Sequence, residues 1–301
     1  MGKLSDMAVE NSVKLLLIGD SGAGKTGSLA SLAAAGYRLH IIDLENKLTV
    51  LKNYILATCP DKLQNVYAEV VMDKFKIGDT KATVAGRSSN LTKLPQAVVF
   101  DGAPDIRSRI GKLWRKWDID GEEVVLSTLD PDTDIVVIDS LTALSNAIMR
   151  EYLAVNNRAD DYPNRNDYSQ PQEMLRRFLE LVAGPSASPN LILIAHSYQE
   201  MITKFVPDST GRPKEVSIPG KIYPLTIGAK LAPDIQRYFS HILEVRRAGK
   251  ERFIHTQPTT DLELKCPLPD IEPKFPIETG LADYFQRVRG KSPEQSPLTL
   301  K

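Results

Sequence analysis

The chain has 301 residues, of which 42% are hydrophobic and 25% are charged, and its formal net charge is zero. This composition is ordinary for a soluble globular protein, and it gives no whole-chain electrostatic argument for nucleic-acid binding. Cys59 and Cys266 lie far apart, in no metal-ligand or disulfide pattern, which fits a reducing cytosol. No apolar run is long enough to span a bilayer, so we expect a cytoplasmic protein with no membrane contact.

The first predicted element is an apolar strand at residues 13–18, followed by GDSGAGKT and a helix that begins near Lys25. This is the G-x-x-x-x-G-K-[ST] pattern of a phosphate-binding loop. Its glycines let successive N–H groups point at a phosphate, and the helix start adds a positive end. We predict that Lys25 contacts the β- and γ-phosphates and that Thr26 ligates Mg²⁺. The nucleotide-binding residues are then Gly19, Asp20, Ser21, Gly22, Ala23, Gly24, Lys25, Thr26 and Gly27.

A dinucleotide-binding pattern overlaps this loop. It consists of a G-x-G-x-x-G run and two later acidic residues: Gly22, Gly24, Gly27, Asp43 and Glu45. In a dinucleotide site the first glycine of the run ends the strand, whereas here Gly19 ends it. A dinucleotide also leaves Lys25 and Thr26 without a role, so the phosphate-binding loop is favoured.

Strand and helix patterns alternate along the rest of the chain. Strands are predicted at 38–43, 66–77, 97–100, 134–139, 191–195, 241–247, 252–257 and 262–268. Helices are predicted at 26–37, 48–57, 104–117, 141–153 and 173–182, with loops at 156–170 and 200–219. The alternation predicts an α/β fold: a mainly parallel sheet flanked by helices, with an antiparallel C-terminal extension.

We expect one ATPase domain at residues 13–289, after an N-terminal tail at 1–12 and before a disordered tail at 290–301. Residues 61–120 are expected to form an insertion that contains strands. Its helix, at residues 104–117, has apolar residues on one face and basic residues mainly elsewhere. The basic side is either the solvated side of a packed helix or a nucleic-acid surface.

Asp139 ends the strand predicted at residues 134–139. P-loop NTPases hold Mg²⁺ with the Ser or Thr of the loop and with an Asp at the end of a buried strand. Thr26 and Asp139 are therefore the predicted metal ligands, and ATP and Mg²⁺ are the predicted cofactors.

Four segments, GDSGAGKT, IIDLEN, DIVVIDSLTAL and LILIAHS, stand in the order found in the RecA-like P-loop ATPases. The chain most resembles the phage-encoded members, relatives of RecA, RadA and KaiC that act in recombination or single-strand annealing. The resemblance implies a RecA-like fold and ATP hydrolysis by a homo-oligomeric ring or filament. It also implies a bacterial host cytoplasm, with single-stranded DNA and single-strand-binding or replication proteins as partners.

The resemblance implies catalytic roles for four residues: Lys25, Glu45, His196 and Lys265. Glu45 matches the glutamate that orients the attacking water, although Asp43 could take this role and Glu45 could be only a helix N-terminal charge. His196 matches the residue that senses the γ-phosphate; the alternative is a hydrogen-bonded core histidine. Lys265 matches a cation inserted into the neighbouring subunit's site, or else is a solvated lysine. The alternatives for that cation are Arg246 and Arg247.

The loops after Asp139 and His196 match the two DNA-facing loops of the family. Basic and aromatic side chains suit single strands through phosphate contact and base stacking. The candidates are Arg158, Tyr162, Arg165 and Tyr168 in the first loop and Lys204, Phe205, Arg212 and Lys214 in the second. Asp160, Asp161 and Asp167 reduce the charge of the first loop, and plain surface loops are the alternative. Two other functions stay open: an assembly or loader ATPase without direct DNA contact, and a helicase or packaging motor subunit.

Overall fold

The computed structural model describes residues 12–73, 75–77, 98–100, 104–159, 161–207, 212–228 and 230–289. Its strands are β1 (Lys14–Gly19), β2 (Arg38–Asp43), β3 (Val66–Val70), β4 (Phe75–Ile77), β5 (Val98–Phe100), β6 (Trp117–Ile119), β7 (Glu122–Val124), β8 (Asp134–Asp139), β9 (Asn190–Pro207), β10 (Pro213–Pro224), β11 (His241–Ala248), β12 (Glu251–His255) and β13 (Lys274–Pro276). Its α-helices are α1 (Lys25–Ala34), α2 (Thr49–Thr58), α3 (Ile106–Arg115), α4 (Leu141–Val155), α5 (Ser169–Ala183), α6 (Ala232–Ile235) and α7 (Gly280–Val288).

The main sheet has the strand order β13-β12-β11-β1-β9-β8-β2-β3, and β10 pairs with β9. The strands from β11 to β3 in this order are parallel, whereas β12 and β13 are antiparallel. This confirms a mixed α/β fold around a mostly parallel sheet. The register places Gly19 beside His196 and Asp43 beside Asp139, so the strand ends that carry the predicted site meet at one edge.

Helices cover both faces of the sheet, which explains the continuous apolar runs of the central strands. Leu15 and Leu17 of β1 pack with α1, α2 and α7, whereas Leu16 and Ile18 pack with α3, α4 and α5. All four side chains are fully buried. Burial of such a side chain contributes about 1.5–3 kcal/mol, so β1 holds the phosphate-binding loop on a rigid base.

The predicted strand at residues 262–268 is wrong. This segment forms a single bridge, between Lys265 and Ile242, and the third strand of the extension is β13. Pro267 and Pro269 explain the difference, because proline has no N–H group to donate to a strand pair.

The predicted loop at residues 200–219 is also wrong. β9 continues from the core to Pro207 and pairs with β10 in a long hairpin. The run Met-Ile-Thr-Lys-Phe-Val, at residues 201–206, is rich in β-branched and aromatic side chains that favour strands. We call the paired residues 198–207 and 213–223 the β9–β10 hairpin.

The described residues of the predicted insertion include short strands and a packed helix, α3. The strand predicted at 66–77 is two strands, β3 and β4, and β4 pairs with β5. α3 buries Ile106, Ile110 and Trp114 in the core, so its apolar face is a packing surface. Residues 1–11 and 290–301, predicted to be tails, lie outside the described residues.

His241, at the start of β11, is buried beside α7. Its Nδ1 lies 2.6 Å from the hydroxyl of Tyr284, which in turn donates a hydrogen bond to the sulfur of Cys266. Burial lowers the pKa of His241 to about 4, from an ordinary value of 6.5. The folded protein therefore holds this side chain neutral at pH values where the unfolded chain protonates it.

The resulting contribution to stability is complete above pH 6.5 and is lost as the pH falls toward 4. Between pH 7 and pH 5 we expect wild type to lose about 2 kcal/mol more free energy of unfolding than His241→Gln, which cannot titrate. Urea unfolding of both proteins at the two pH values measures this difference. Equal losses would show that His241 does not titrate differently in the two states.

Candidate functional site

The phosphate-binding loop has the backbone of an anion site. Gly22 and Gly24 have positive φ values of 75° and 108°, a region that side chains disfavour. A Cβ at Gly24 would also lie 2.5 Å from Cδ1 of Ile277, so only glycine fits this position. α1 begins at Lys25, and the N–H groups of its first turn have no intrahelical acceptor. They are available to a phosphate, together with the positive end of the helix.

Lys25 and Thr26 lie where the loop motif predicts them. Lys25 is buried, and its Nζ donates to the carbonyl oxygens of Gly19 at 2.7 Å and Asp20 at 2.8 Å. Burial lowers the pKa of Lys25, while Asp139 acts in the opposite direction. The hydroxyl of Thr26 donates to Oδ2 of Asp139 at 2.6 Å. The predicted metal ligands of β8 and α1 are therefore in direct contact.

The Thr26–Asp139 pair fits Mg²⁺, which prefers hard oxygen ligands and usually takes few of them from the protein. Burial raises the pKa of Asp139 to about 6, because its carboxylate is removed from water. A divalent cation bound to this carboxylate would stabilise its buried negative charge. Among the residues that the structure describes, no group of three or more His, Cys, Asp or Glu side chains could form a metal centre on its own. The pair would therefore hold the ion together with phosphate oxygens.

Asp43 shapes the turn after β2. Its two carboxylate oxygens accept backbone N–H groups from Glu45, Asn46 and Lys47 at 2.8–2.9 Å. Asp43 is also almost completely buried. Both oxygens of Asp43 thus hold the loop that carries Glu45. Of these two carboxylates, that of Glu45 is the more accessible.

Glu45 is held by side chains from three segments. Its Oε1 accepts hydrogen bonds from the hydroxyl of Ser140 at 2.5 Å and from Nε2 of His196 at 3.1 Å. Its Oε2 accepts from Nζ of Lys47 at 2.6 Å. The hydrogen bond with His196, followed by those from Lys47 and Ser140, holds the pKa of Glu45 well below its usual range. Glu45 is therefore ionised at neutral pH and is suited to orienting a water molecule.

His196 lies at the cleft, since 24% of its side chain is exposed and its ring contacts Glu45. Its backbone N–H donates to the hydroxyl of Thr142, which donates to the carbonyl oxygen of Leu225. The next residue, Ser197, donates to the carboxylate of Asp20 in the phosphate-binding loop. β9 therefore contacts both the loop and Glu45 at the point where it leaves the core.

One cleft of about 310 Å³ is lined by Lys25, Thr26, Glu45, Asp139 and His196. Four further side chains at the cleft were not anticipated from the sequence: Lys47, Val50, Tyr54 and Arg252. Lys47 could have been found from its spacing to Glu45, and Tyr54 from its place on α2. Arg252 is far away in sequence and has no motif of its own, so only the fold brings it to the loop.

Lys265 is not in this cleft. Its Nζ donates to the carbonyl oxygens of Gln236 at 2.8 Å and Phe239 at 3.5 Å, at the end of a short 3₁₀ helix. Its alternatives, Arg246 and Arg247, line a second cleft of about 470 Å³ on the other side of the phosphate-binding loop. Arg246 also pairs with Glu244 at 2.6 Å. A role for any of these cations in a neighbouring subunit stays a prediction.

The candidate residues of the first DNA-facing loop differ in how free their side chains are to contact DNA. Arg158 pairs with Asp161 and Asp167, at 2.9 and 2.6 Å, so its guanidinium stabilises the loop. Arg165 and Tyr168 bound a 3₁₀ turn, and 51% of the Tyr162 side chain is exposed. Asp160 lies outside the described residues.

The second group lies on or beside the β9–β10 hairpin. Lys204 and Phe205 are on β9, Lys214 is on β10, and Arg212 directly precedes β10. Phe205 is 71% exposed, and both lysines are exposed. The structure therefore places this group on or beside one exposed hairpin.

Comparison with curated proteins gives no match. No helix among the described residues is long and apolar enough to cross a membrane. A family profile described as an AAA domain matches residues 11–266, a span that contains the phosphate-binding loop, Glu45, Asp139 and His196. Because this match covers more than half of the 301 residues, the chain belongs to the AAA-domain family of P-loop ATPases.

Proposed function

We propose that the protein is a RecA-like ATPase that hydrolyses ATP with Mg²⁺. The observation that carries this proposal is the position of Glu45, beside Ser140 and His196 in the same cleft as the phosphate-binding loop. Glu45 comes from the end of β2, the neighbour of the β8 strand that ends in Asp139. A carboxylate in this place can face the γ-phosphate of a bound nucleotide.

Each of the predicted site residues that line the cleft then has a defined task. Lys25 and the N-terminus of α1 bind the phosphates, and Thr26 and Asp139 would hold Mg²⁺. When bound, Mg²⁺ neutralises charge on the β- and γ-phosphate oxygens. Ionised Glu45 orients the attacking water, and the hydrogen bond from His196 fixes the carboxylate in place. His196 also lines the cleft together with Lys25 and Thr26, where it would sense a γ-phosphate.

Glu45→Gln is expected to bind ATP with nearly wild-type affinity and to hydrolyse it about 10²- to 10⁴-fold more slowly. The amide keeps the size of the side chain but cannot accept a proton from water. Calorimetry with a non-hydrolysable ATP analogue gives affinity, and phosphate release gives turnover. Lys25→Ala is the comparison variant and should lose both properties. Equal turnover of Glu45→Gln and wild type would remove Glu45 from the mechanism.

We also propose that single-stranded DNA binds along the β9–β10 hairpin. Cross-strand pairs place Lys214 opposite Val206 and Lys204 opposite Val216, so both lysines share one face. By alternation along β9, Tyr198 lies on the same face and is 38% exposed. Basic groups that contact phosphates, combined with an aromatic ring that stacks on bases, suit a single strand.

Replacement of both Lys204 and Lys214 by Gln is expected to weaken binding of single-stranded DNA and to reduce its salt dependence. Each lost phosphate contact lowers the slope of log K against log salt by about 0.7, so the pair should lower it by roughly 1.4. Fluorescence anisotropy over a salt series measures the slope. A matched control replaces Lys52 and Lys62, which lie on the α2 side of the sheet, by Gln.

An unchanged slope in the hairpin variant would argue against this surface. Absence of any salt-dependent DNA binding by wild type would favour the loader or assembly ATPase. Directional movement on duplex DNA would favour the helicase or packaging motor.

We propose finally that the enzyme acts as a homo-oligomer in which a cation from one subunit, Lys265 or else Arg246 or Arg247, completes the site of the next. Lys265 would have to exchange its two carbonyl partners for the neighbour's phosphates. Turnover per subunit should then rise steeply with protein concentration. Lys265→Ala should lose this rise while keeping its affinity for ADP. Turnover that is independent of concentration in wild type would contradict the shared site.

A further inference from the structure

Arg252 is a cation at the nucleotide cleft that the proposed catalytic set does not use. It lies on β12, and its side chain reaches back to the phosphate-binding loop. A Cβ built on Gly24 would lie 2.8 Å from Cδ and 3.4 Å from Nε of Arg252. The arginine therefore passes over Gly24, the residue that directly precedes α1. Its cross-strand partner, Arg247, instead lines the second cleft.

The guanidinium of Arg252 has no protein partner among the residues that the structure describes. Its Nε is buried and donates no hydrogen bond there. The two acids of the cleft have other contacts: Asp139 accepts from Thr26, and Glu45 accepts from Ser140, His196 and Lys47. A buried donor without an acceptor is unfavourable, and buried polar groups in proteins are normally paired.

Arg252 also adds a positive charge where the loop already carries positive charge. The N-terminus of α1 carries a partial positive charge, and the ammonium group of Lys25 adds a full one. A third cation beside them is repelled by both. One anion placed between the guanidinium and the helix N-terminus would satisfy the Arg252 donors and compensate all three charges.

We propose that Arg252 binds the nucleotide of its own chain, at the α- and β-phosphates that ADP and ATP have in common. The inference rests on the proposed function, since it takes the cleft to be a nucleotide site. Two observations favour the shared phosphates over the γ-phosphate. Arg252 crosses Gly24, and the backbone of such loops cradles the α- and β-phosphates. Glu45 and the Thr26–Asp139 pair provide the groups for hydrolysis and metal binding. Arg252 is thus a binding and positioning residue.

Arg252→Gln tests the inference by calorimetric titration with ADP and with a non-hydrolysable ATP analogue. We expect its affinity for both to fall by a similar factor of about 10 or more, because a charge-assisted hydrogen bond is lost from each complex. Arg252→Lys should recover part of the affinity, since it keeps the charge but loses the planar fork. The matched control is Lys250→Gln, at the exposed β11–β12 turn, which removes one charge from the same hairpin and should bind like wild type.

A purely structural role is separated by thermal unfolding. The nucleotide-free Arg252→Gln protein should melt no lower than wild type, because the repulsion next to α1 is removed, and ADP should raise its Tm less. A lowered nucleotide-free Tm with unchanged affinities would overturn the inference. Loss of affinity for the ATP analogue alone would overturn the assignment to the shared phosphates.

The same titrations separate this inference from the proposed function. Wild type that binds neither ligand would contradict both. Wild type that binds both ligands, with Arg252→Gln binding them equally well, would leave the nucleotide site intact and overturn the role of Arg252 alone.

Discussion

The register of four parallel strands is the constraint on which the site depends. β9 lies between β1 and β8, so the phosphate-binding loop and Asp139 are on strands that do not touch. The contact of Thr26 with Asp139 spans that gap at 2.6 Å, and His196 lies on the strand between them, beside Gly19. A shift of one residue in β9 would turn its side chains to the opposite face of the sheet. The buried apolar faces of the strands fix the register, and so they also fix the relative positions of the site residues.

Glu45 depends on this register at a second level. Three segments converge on it: the Asp43 turn after β2, Ser140 after β8 and His196 at β9. Asp43 contributes by holding three backbone N–H groups, and so it determines where Glu45 points. The two neighbouring carboxylates thus have different tasks, one in the architecture of the loop and one at the cleft. The burial and hydrogen bonds of Asp43 and Glu45 distinguish these two tasks, whereas their positions in the sequence do not.

Local signals in the sequence predicted the parts of the site that lie within single segments. The loop from Gly19 to Gly27 and the apolar run that ends in Asp139 each carry their own pattern, and both lie where expected. The long hairpin was missed because its polar and glycine residues resemble a loop, and strand pairing between distant segments leaves little local signal. Residues 262–268 look extended in sequence, but their prolines prevent a ladder.

Arg252 marks the limit of prediction from sequence. It is more than 200 residues from Gly24, and a single arginine in a strand has no characteristic spacing. Only the turn between β11 and β12 and the packing of β12 beside β11 bring it to the loop. Lys265 shows the converse. A plausible match to a family position did not indicate that its amino group would lie on the carbonyl oxygens of residues 236 and 239.

β9 is one continuous strand of 18 residues, buried in its first part and projecting in its second. Where the two parts join, His196 contacts Glu45 and Ser197 contacts Asp20, so the base of the hairpin contacts both Glu45 and the phosphate-binding loop. A ligand that moves the base of the hairpin therefore also moves the residues that contact Glu45 and the phosphate-binding loop. Thermodynamic linkage makes such coupling reciprocal. If a bound nucleotide changes the hairpin's affinity for a ligand by some factor, that ligand changes the affinity for the nucleotide by the same factor. β9 can in this way couple the hairpin to the cleft in both directions, through the contacts of residues 196 and 197.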